Sequence, residues 1–145
     1  MTEKNLYFAY GANMHPGQMA WRCPKALAST SFVLRDWALK FYSHATIVPK
    51  NGAQCAGVLW NLTPECEQEL DNFEGFPHYY SKRDWNQNGR QFFFYEMNHP
   101  LGGYPSEQYV NDIGRSYDQW RLPEKLFDAA IDRVYERYDQ EYPEP

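Results

Sequence analysis

An α+β fold, with a mixed, curved or barrel-like sheet of about six short strands and a few helices packed around it, is predicted by three features. Aromatic and β-branched residues come in short runs that end at turn residues. Segments with helical apolar spacing fall between those runs, without the regular strand–helix alternation of a doubly wound sheet. Asn88-Gly89, between two ring-rich segments, is a strong signal for an antiparallel hairpin. The length of 145 residues fits one domain, 1–145, with one core.

The first strand runs from Leu6 to Tyr10, where Tyr7, Phe8 and Tyr10 suit a pleated, half-buried surface. Gly11-Ala12-Asn13 follows, either as a plain turn or as a small anion cradle. In a cradle, successive amides converge and small side chains let a carboxylate or oxyanion approach the backbone. Pro16 suits the first turn of a short helix, His15 to Cys23, that Pro24 stops; its positive N-terminal end is expected beside the cradle. Ala28 to Phe41 reads as one long bent strand or two short ones. The apolar pulse Ala45 to Val48 ends at Pro49, a polar turn is expected around Asn51 and Gly52, and Cys55 to Leu62 is the clearest strand.

Thr63 and Pro64 open the next helix with a hydroxyl cap and a first-turn proline, and Gly75 closes it. Cys66, Leu70 and Phe73 recur at helical spacing as its expected buried stripe. Glu74 lies about 40° from Leu70 on the helical wheel, on the flank of that stripe, whereas Glu65 and Gln68 point away. The negative end of the helix dipole and partial desolvation are both expected to raise its pKa. It is either an isolated catalytic carboxylate or a surface residue at a helix end.

Tyr79 to Asn86 and Arg90 to Met97 form the hairpin, the second strand carrying Phe92, Phe93, Phe94 and Tyr95. His99 to Pro105 is a loop, and Ser106 to Ile113 a short helix expected to end at Gly114. The last helix starts at Pro123, and its stripe of Leu126, Phe127, Ala130, Ile131, Val134, Tyr135 and Tyr138 is expected to cover the sheet. The acidic tail, Asp139 to Pro145, is expected to fray.

A net charge of −5 with a pI near 5.3, and cationic residues scattered along the chain, argue against nucleic-acid or anionic-membrane partners. No charged-then-apolar leader opens the sequence and no uncharged apolar run approaches membrane-spanning length, so a soluble, cytoplasmic protein is expected. Twelve tyrosines within an aromatic content of 18% suggest a pocket with a polar rim. Cys23, Cys55 and Cys66 suit neither a disulfide framework nor a zinc site and read as reduced fillers. His15, His44, His78 and His99 are isolated, and no metal is expected. The sequence leaves the oligomeric state open, a homodimer being one option.

Three separated signals together resemble the γ-glutamylcyclotransferase family: Y-F-A-Y-G-A-N-M at Tyr7 to Met14; A-T-I-V-P at Ala45 to Pro49 with G-V-L-W at Gly57 to Trp60 and L-D-N-F-E-G at Leu70 to Gly75; and F-F-Y at Phe93 to Tyr95 with P-S-E-Q-Y at Pro105 to Tyr109, Ile113-Gly114 and Arg121-Leu-Pro123. The resemblance covers nearly the whole chain in the family's order and approximate spacing. It implies conversion of a γ-glutamyl amino acid or γ-glutamyl amine to 5-oxoproline and a free amine. The substrate's own α-amine attacks its γ-carbonyl, so no cofactor is called for.

By the same resemblance Glu74 is the expected general acid/base. Tyr7, Phe8, Ala9, Tyr10, Gly11, Ala12, Asn13 and Met14 form the substrate-binding cradle, and Tyr95 supplies a phenolic hydroxyl or serves as a core residue. Ala12 stands where the family usually has serine, which bears on affinity and substrate choice more than on the reaction. Two alternatives stay open. One is a γ-glutamylamine cyclotransferase with a different leaving amine, and the other a non-catalytic small-molecule binding module on the same fold.

Overall fold

The computed structural model describes residues 5–100 and 102–145. The shortest strand lies at the centre of the sheet. β1 (Asn5–Ala9) pairs antiparallel with β3 (Ala45–Leu62) and parallel with β5 (Arg90–Met97), in the five-strand order β2-β3-β1-β5-β4. β2 spans Leu27–Phe41 and β4 Tyr80–Gln87. Tyr7, Phe8 and Ala9 are buried in succession, because a central strand covered on both faces has no solvent side for a polar residue. Successive side chains alternate, so Phe8 packs with Phe32 and Phe92 while the Tyr7 hydroxyl reaches Asn13.

The expected polar turn around Asn51 and Gly52 is absent, and its place is taken by a bulge inside the single long strand β3. Trp37 pairs with Pro49 and Arg35 with Gln54, so residues 50–53 loop out opposite Asp36 alone. Asp36 has φ 67°, Gly52 has φ 81°, and the Asp36 carboxylate accepts the Gly52 amide at 3.0 Å. Both apolar pulses thus stay on one partner strand, which reduces the expected six or so strands to five. Pro49, which has no amide to give a ladder, sits at the edge of that bulge.

The two edges of the sheet curl until they meet. The Gln87 side chain accepts the Arg35 amide at 2.8 Å and donates to the Val33 carbonyl at 2.9 Å, standing in for a strand, while Trp37 and Trp85 pack edge to face at 5.3 Å. This gives the sheet its barrel-like closure. The β4–β5 hairpin turns at Asn88 (φ 53°) and Gly89 (φ 81°), the left-handed pair that such a two-residue turn needs.

α1 (Pro16–Arg22) is one residue shorter at each end than expected, His15 and Cys23 being its caps, and α2 (Pro64–Glu74) has the expected limits, with Thr63 Oγ1 accepting the Cys66 amide and Gly75 left-handed at φ 68°. Cys66 and Leu70 are buried, but Phe73 is 54% exposed and lies under the Arg22 guanidinium instead of filling the core. α3 (Glu107–Gln119) does not end at Gly114. A Cβ there would sit 3.3 Å from the Phe127 ring, so this glycine lets α3 approach α4 (Glu124–Glu141) and does not stop the helix. α4 lies on β2, where Arg133 and Arg137 donate to the Leu39 and Phe41 carbonyls at 3.0 and 3.1 Å. Its stripe holds as far as Val134; Tyr135 and Tyr138 are exposed, and the first three residues of the expected tail, Asp139 to Glu141, continue the helix. Among the described residues no helix is long and apolar enough to cross a membrane.

Candidate active site

The chain leaves β1 at Ala9, passes Tyr10 and Gly11, and makes one 3-10 turn at Ala12–Met14. The Met14 amide bonds to the Gly11 carbonyl at 3.0 Å and the His15 amide to that of Ala12 at 3.2 Å. Among the described residues the amides of Ala12 and Asn13 have no protein partner, as the opening of a helical turn dictates. The N-terminal amides of α1 are not available to the cradle as the sequence suggested. The His15 Nδ1 accepts both Gly17 and Gln18 N–H, at 3.0 and 3.3 Å, and so caps the helix itself.

Glu74 is the last residue of α2, and Gly75 turns the backbone sharply away after it. Its carboxylate accepts the Asn13 Nδ2 at 3.2 Å; the same amide nitrogen donates to the Tyr7 hydroxyl at 3.1 Å, and Asn13 Oδ1 accepts from Arg22 Nη1. Asn13 therefore stands between a carboxylate and a guanidinium, with its oxygen turned to the cation and its nitrogen to the anion. Burial pushes the Glu74 carboxyl up from 4.5 to about 7, opposed by the Arg22 charge and the Asn13 hydrogen bond. Burial and then the Glu74 charge likewise raise the Tyr7 phenol.

A cavity of about 830 Å³ opens between the turn, α2, α3 and the hairpin. Tyr7, Tyr10, Gly11, Ala12, Asn13, Glu74 and Tyr95 all line it. Phe8, Ala9 and Met14 do not, being wholly buried behind the wall as its support. Tyr95 is among the residues lining the cavity but is almost wholly buried, and its hydroxyl is spent on Asp71 Oδ1, to which it donates at 2.7 Å. Asp71 in turn pairs with Lys82 at 2.8 Å, and Lys82 with Glu67 at 2.6 Å. The Tyr10 hydroxyl donates to the Tyr95 carbonyl at 2.6 Å, tying β1 to β5 beside the cavity.

Sequence reasoning missed Arg22, Tyr80 and Tyr109. The Tyr80 hydroxyl donates to the Ala45 carbonyl at 2.7 Å, and the Tyr109 hydroxyl accepts the Ala45 amide at 3.1 Å. Both residues line the cavity. A Cβ at Gly11 would come 3.6 Å from the Tyr109 hydroxyl, an ordinary contact, so Tyr109 adjoins the turn without requiring a glycine there. The arrangement sets the partly buried Glu74 carboxyl beside the Ala12 and Asn13 amides, in a chamber lined by tyrosine rings and by polar side chains that include Arg22, Asp112 and Arg115.

A family model described as gamma-glutamyl cyclotransferase, AIG2-like, matches residues 7–122. Among solved structures, one named gamma-glutamyl cyclotransferase is 25% identical with a TM-score of 0.79, over 89% of this chain and 87% of that one. An uncharacterized protein from Homo sapiens is 26% identical with a TM-score of 0.78, over the same shares. YkqA from Bacillus subtilis shares the fold at 17% identity and a TM-score of 0.72, over 92% of this chain and 55% of that one. Among curated proteins none matches.

Proposed function

Since this chain belongs to the gamma-glutamyl cyclotransferase, AIG2-like family, we propose that it converts a γ-glutamyl amino acid or γ-glutamyl amine to 5-oxoproline and a free amine, with Glu74 as general acid/base. The observation that carries this reading is the Glu74 carboxyl in one cavity with the unpaired Ala12 and Asn13 amides.

The reaction moves one proton from the attacking nitrogen to the leaving nitrogen and releases a second from the ring nitrogen. Glu74, as carboxylate, takes a proton from the substrate α-ammonium; the freed nitrogen attacks the γ-carbonyl and closes a five-membered ring. The ring nitrogen, which then carries two hydrogens, gives up its second proton to solvent; the tetrahedral intermediate expels the original amide nitrogen, which receives the proton held by the Glu74 carboxyl, and the released amine takes up a proton from solution. A carboxyl at about 7 is suited to both halves, because neither form is scarce near neutrality. Positioned proton transfer of this kind contributes roughly 10² to 10⁴ in rate, or about 3 to 5 kcal/mol. Holding the amine against the carbonyl, and amide donors aimed at a carboxylate or at the developing oxyanion, supply the rest.

Glu74→Gln keeps the shape and removes only the proton. It should fold normally and lose at least about two decades in turnover, measured as 5-oxoproline released from a panel of γ-glutamyl compounds. Near-normal release by the variant would refute the role of Glu74.

A further inference from the structure

We propose that Arg22 is the side chain that takes a carboxylate of the substrate in this cavity, an inference that rests on the γ-glutamyl reading above. Arg22 ends α1 and lines the cavity. Among the described residues no carboxylate lies within ion-pairing distance of it, 4.0 Å. Its only hydrogen-bond partner there is Asn13 Oδ1, which uses one of the five N–H donors of a guanidinium.

The acid whose charge acts most on Arg22 is Glu74, and Asn13 is bonded to both. Glu74 must also pass through its neutral form during the reaction, when it can balance no positive charge. A partly buried cation without a counter-ion is costly, and burial does lower the Arg22 pKa, as expected where water has been withdrawn from the charge. The exposed Phe73 gains a purpose here. Its ring centre lies 3.4 Å from the guanidinium carbon and fixes the plane of the fork, leaving the edge that a carboxylate meets bidentately. The alternative is that Arg22 merely stacks on Phe73 and holds Asn13 in place.

A γ-glutamyl amino acid offers two carboxylates, on the glutamyl α-carbon and on the leaving amino acid. γ-Glutamyl-ethylamide keeps only the first. 4-Aminobutanoyl-alanine keeps only the second and can close by the same step, its amine attacking the carbonyl and expelling alanine to leave pyrrolidin-2-one. The experiment is steady-state kinetics of the native protein and of Arg22→Met on γ-glutamyl-alanine and these two compounds, on the pH plateau of each protein above its acid limb, where the charge of Arg22 no longer acts through the ionisation of Glu74. We expect KM for γ-glutamyl-alanine to rise about 10- to 100-fold with kcat within about threefold, and Arg22→Lys to fall between.

The penalty should persist on one truncated compound and vanish on the other. Persistence on the ethylamide identifies the α-carboxylate, and persistence on 4-aminobutanoyl-alanine the carboxylate of the leaving group. Equal penalties on both, a loss in kcat alone, or no change would overturn the proposal and leave Arg22 a support for Asn13. Failure of the native protein to release product from any compound would count against the γ-glutamyl reading instead. Calorimetric binding of γ-glutamyl-alanine in a Glu74→Gln background tests Arg22 without turnover: Arg22→Met should weaken it tenfold or more, and unchanged affinity would overturn the proposal.

Discussion

Glu74→Gln should stabilise the protein at pH 8 and leave it nearly as it was at pH 4. In the unfolded chain the carboxyl titrates near its ordinary 4.5, while burial raises it to about 7 in the fold. Between these values the unfolded chain has released its proton and the folded chain keeps it. The unfolded state then binds fewer protons, and stability falls as pH rises. The contribution of the raised carboxyl is fully present below pH 4.5 and is lost as pH passes 7.

One pKa unit corresponds to 1.36 kcal/mol, so the loss comes to about 3 kcal/mol. Gln has no proton to release, and its carbonyl oxygen can still accept from Asn13 Nδ2. The stability of the variant relative to the native protein should therefore grow by about 3 kcal/mol from pH 4 to pH 8, with titrations common to both cancelling. Urea unfolding at several pH values, with midpoints compared at equal slope, measures this without any assumption about substrate. A difference constant to within about 0.5 kcal/mol across that range, or a less stable variant at pH 8, would show that Glu74 is not held protonated by burial.

The same carboxyl should set the acid limb of activity: kcat/KM should fall about tenfold per pH unit below about 7, as the free enzyme loses its base. Arg22→Met should move that limb to higher pH, because the Arg22 charge favours the ionised form; a superimposable profile would contradict the assignment. Gly57→Ala should damage fold and site together. The new Cβ would lie 2.4 Å from the Ala9 carbonyl oxygen and 2.7 Å from the Phe8 ring. Overpacking of this kind costs about 1 to 3 kcal/mol, and the strand end it displaces carries the Gly11 turn. Thermal melting with a parallel 5-oxoproline assay checks both, and a variant with native stability and rate would refute the account of that wall.

The elements legible in the sequence were those whose signals are local. Thr63, Pro64 and Gly75 fix α2 through their own backbone chemistry, and Asn88-Gly89 fixes its hairpin for the same reason. Gly52 and Gly114 show where this stops. A glycine after polar residues reads as a turn and a glycine in a helical pattern as an end, but here one sits in a bulge opposite Asp36 and the other makes room for Phe127. In both cases the decisive neighbour is distant in sequence: 16 residues away for Gly52, whose amide Asp36 accepts, and on another helix for Gly114.

The site divides along the same line. Helical geometry sets Glu74 apart from neighbouring acids, and small residues follow a run of rings at the Gly11 turn, but it is the family resemblance that makes either a candidate site. Arg22 carried no such mark, since a basic residue in the last turn of a helix is favoured by the dipole whatever else it does. Only folding gives it meaning, by bringing α1 against α2 so that Phe73 lies beneath it and Asn13 links it to Glu74. The spacing that buries Leu70 also predicts a buried Phe73, yet Phe73 is exposed. Its exposure follows from position at the end of α2, where the stripe runs past the core and onto the rim of the cavity. An apolar residue that keeps helical phase yet stays in solvent is thus informative about the site, because the guanidinium it carries supplies the contact that the core does not.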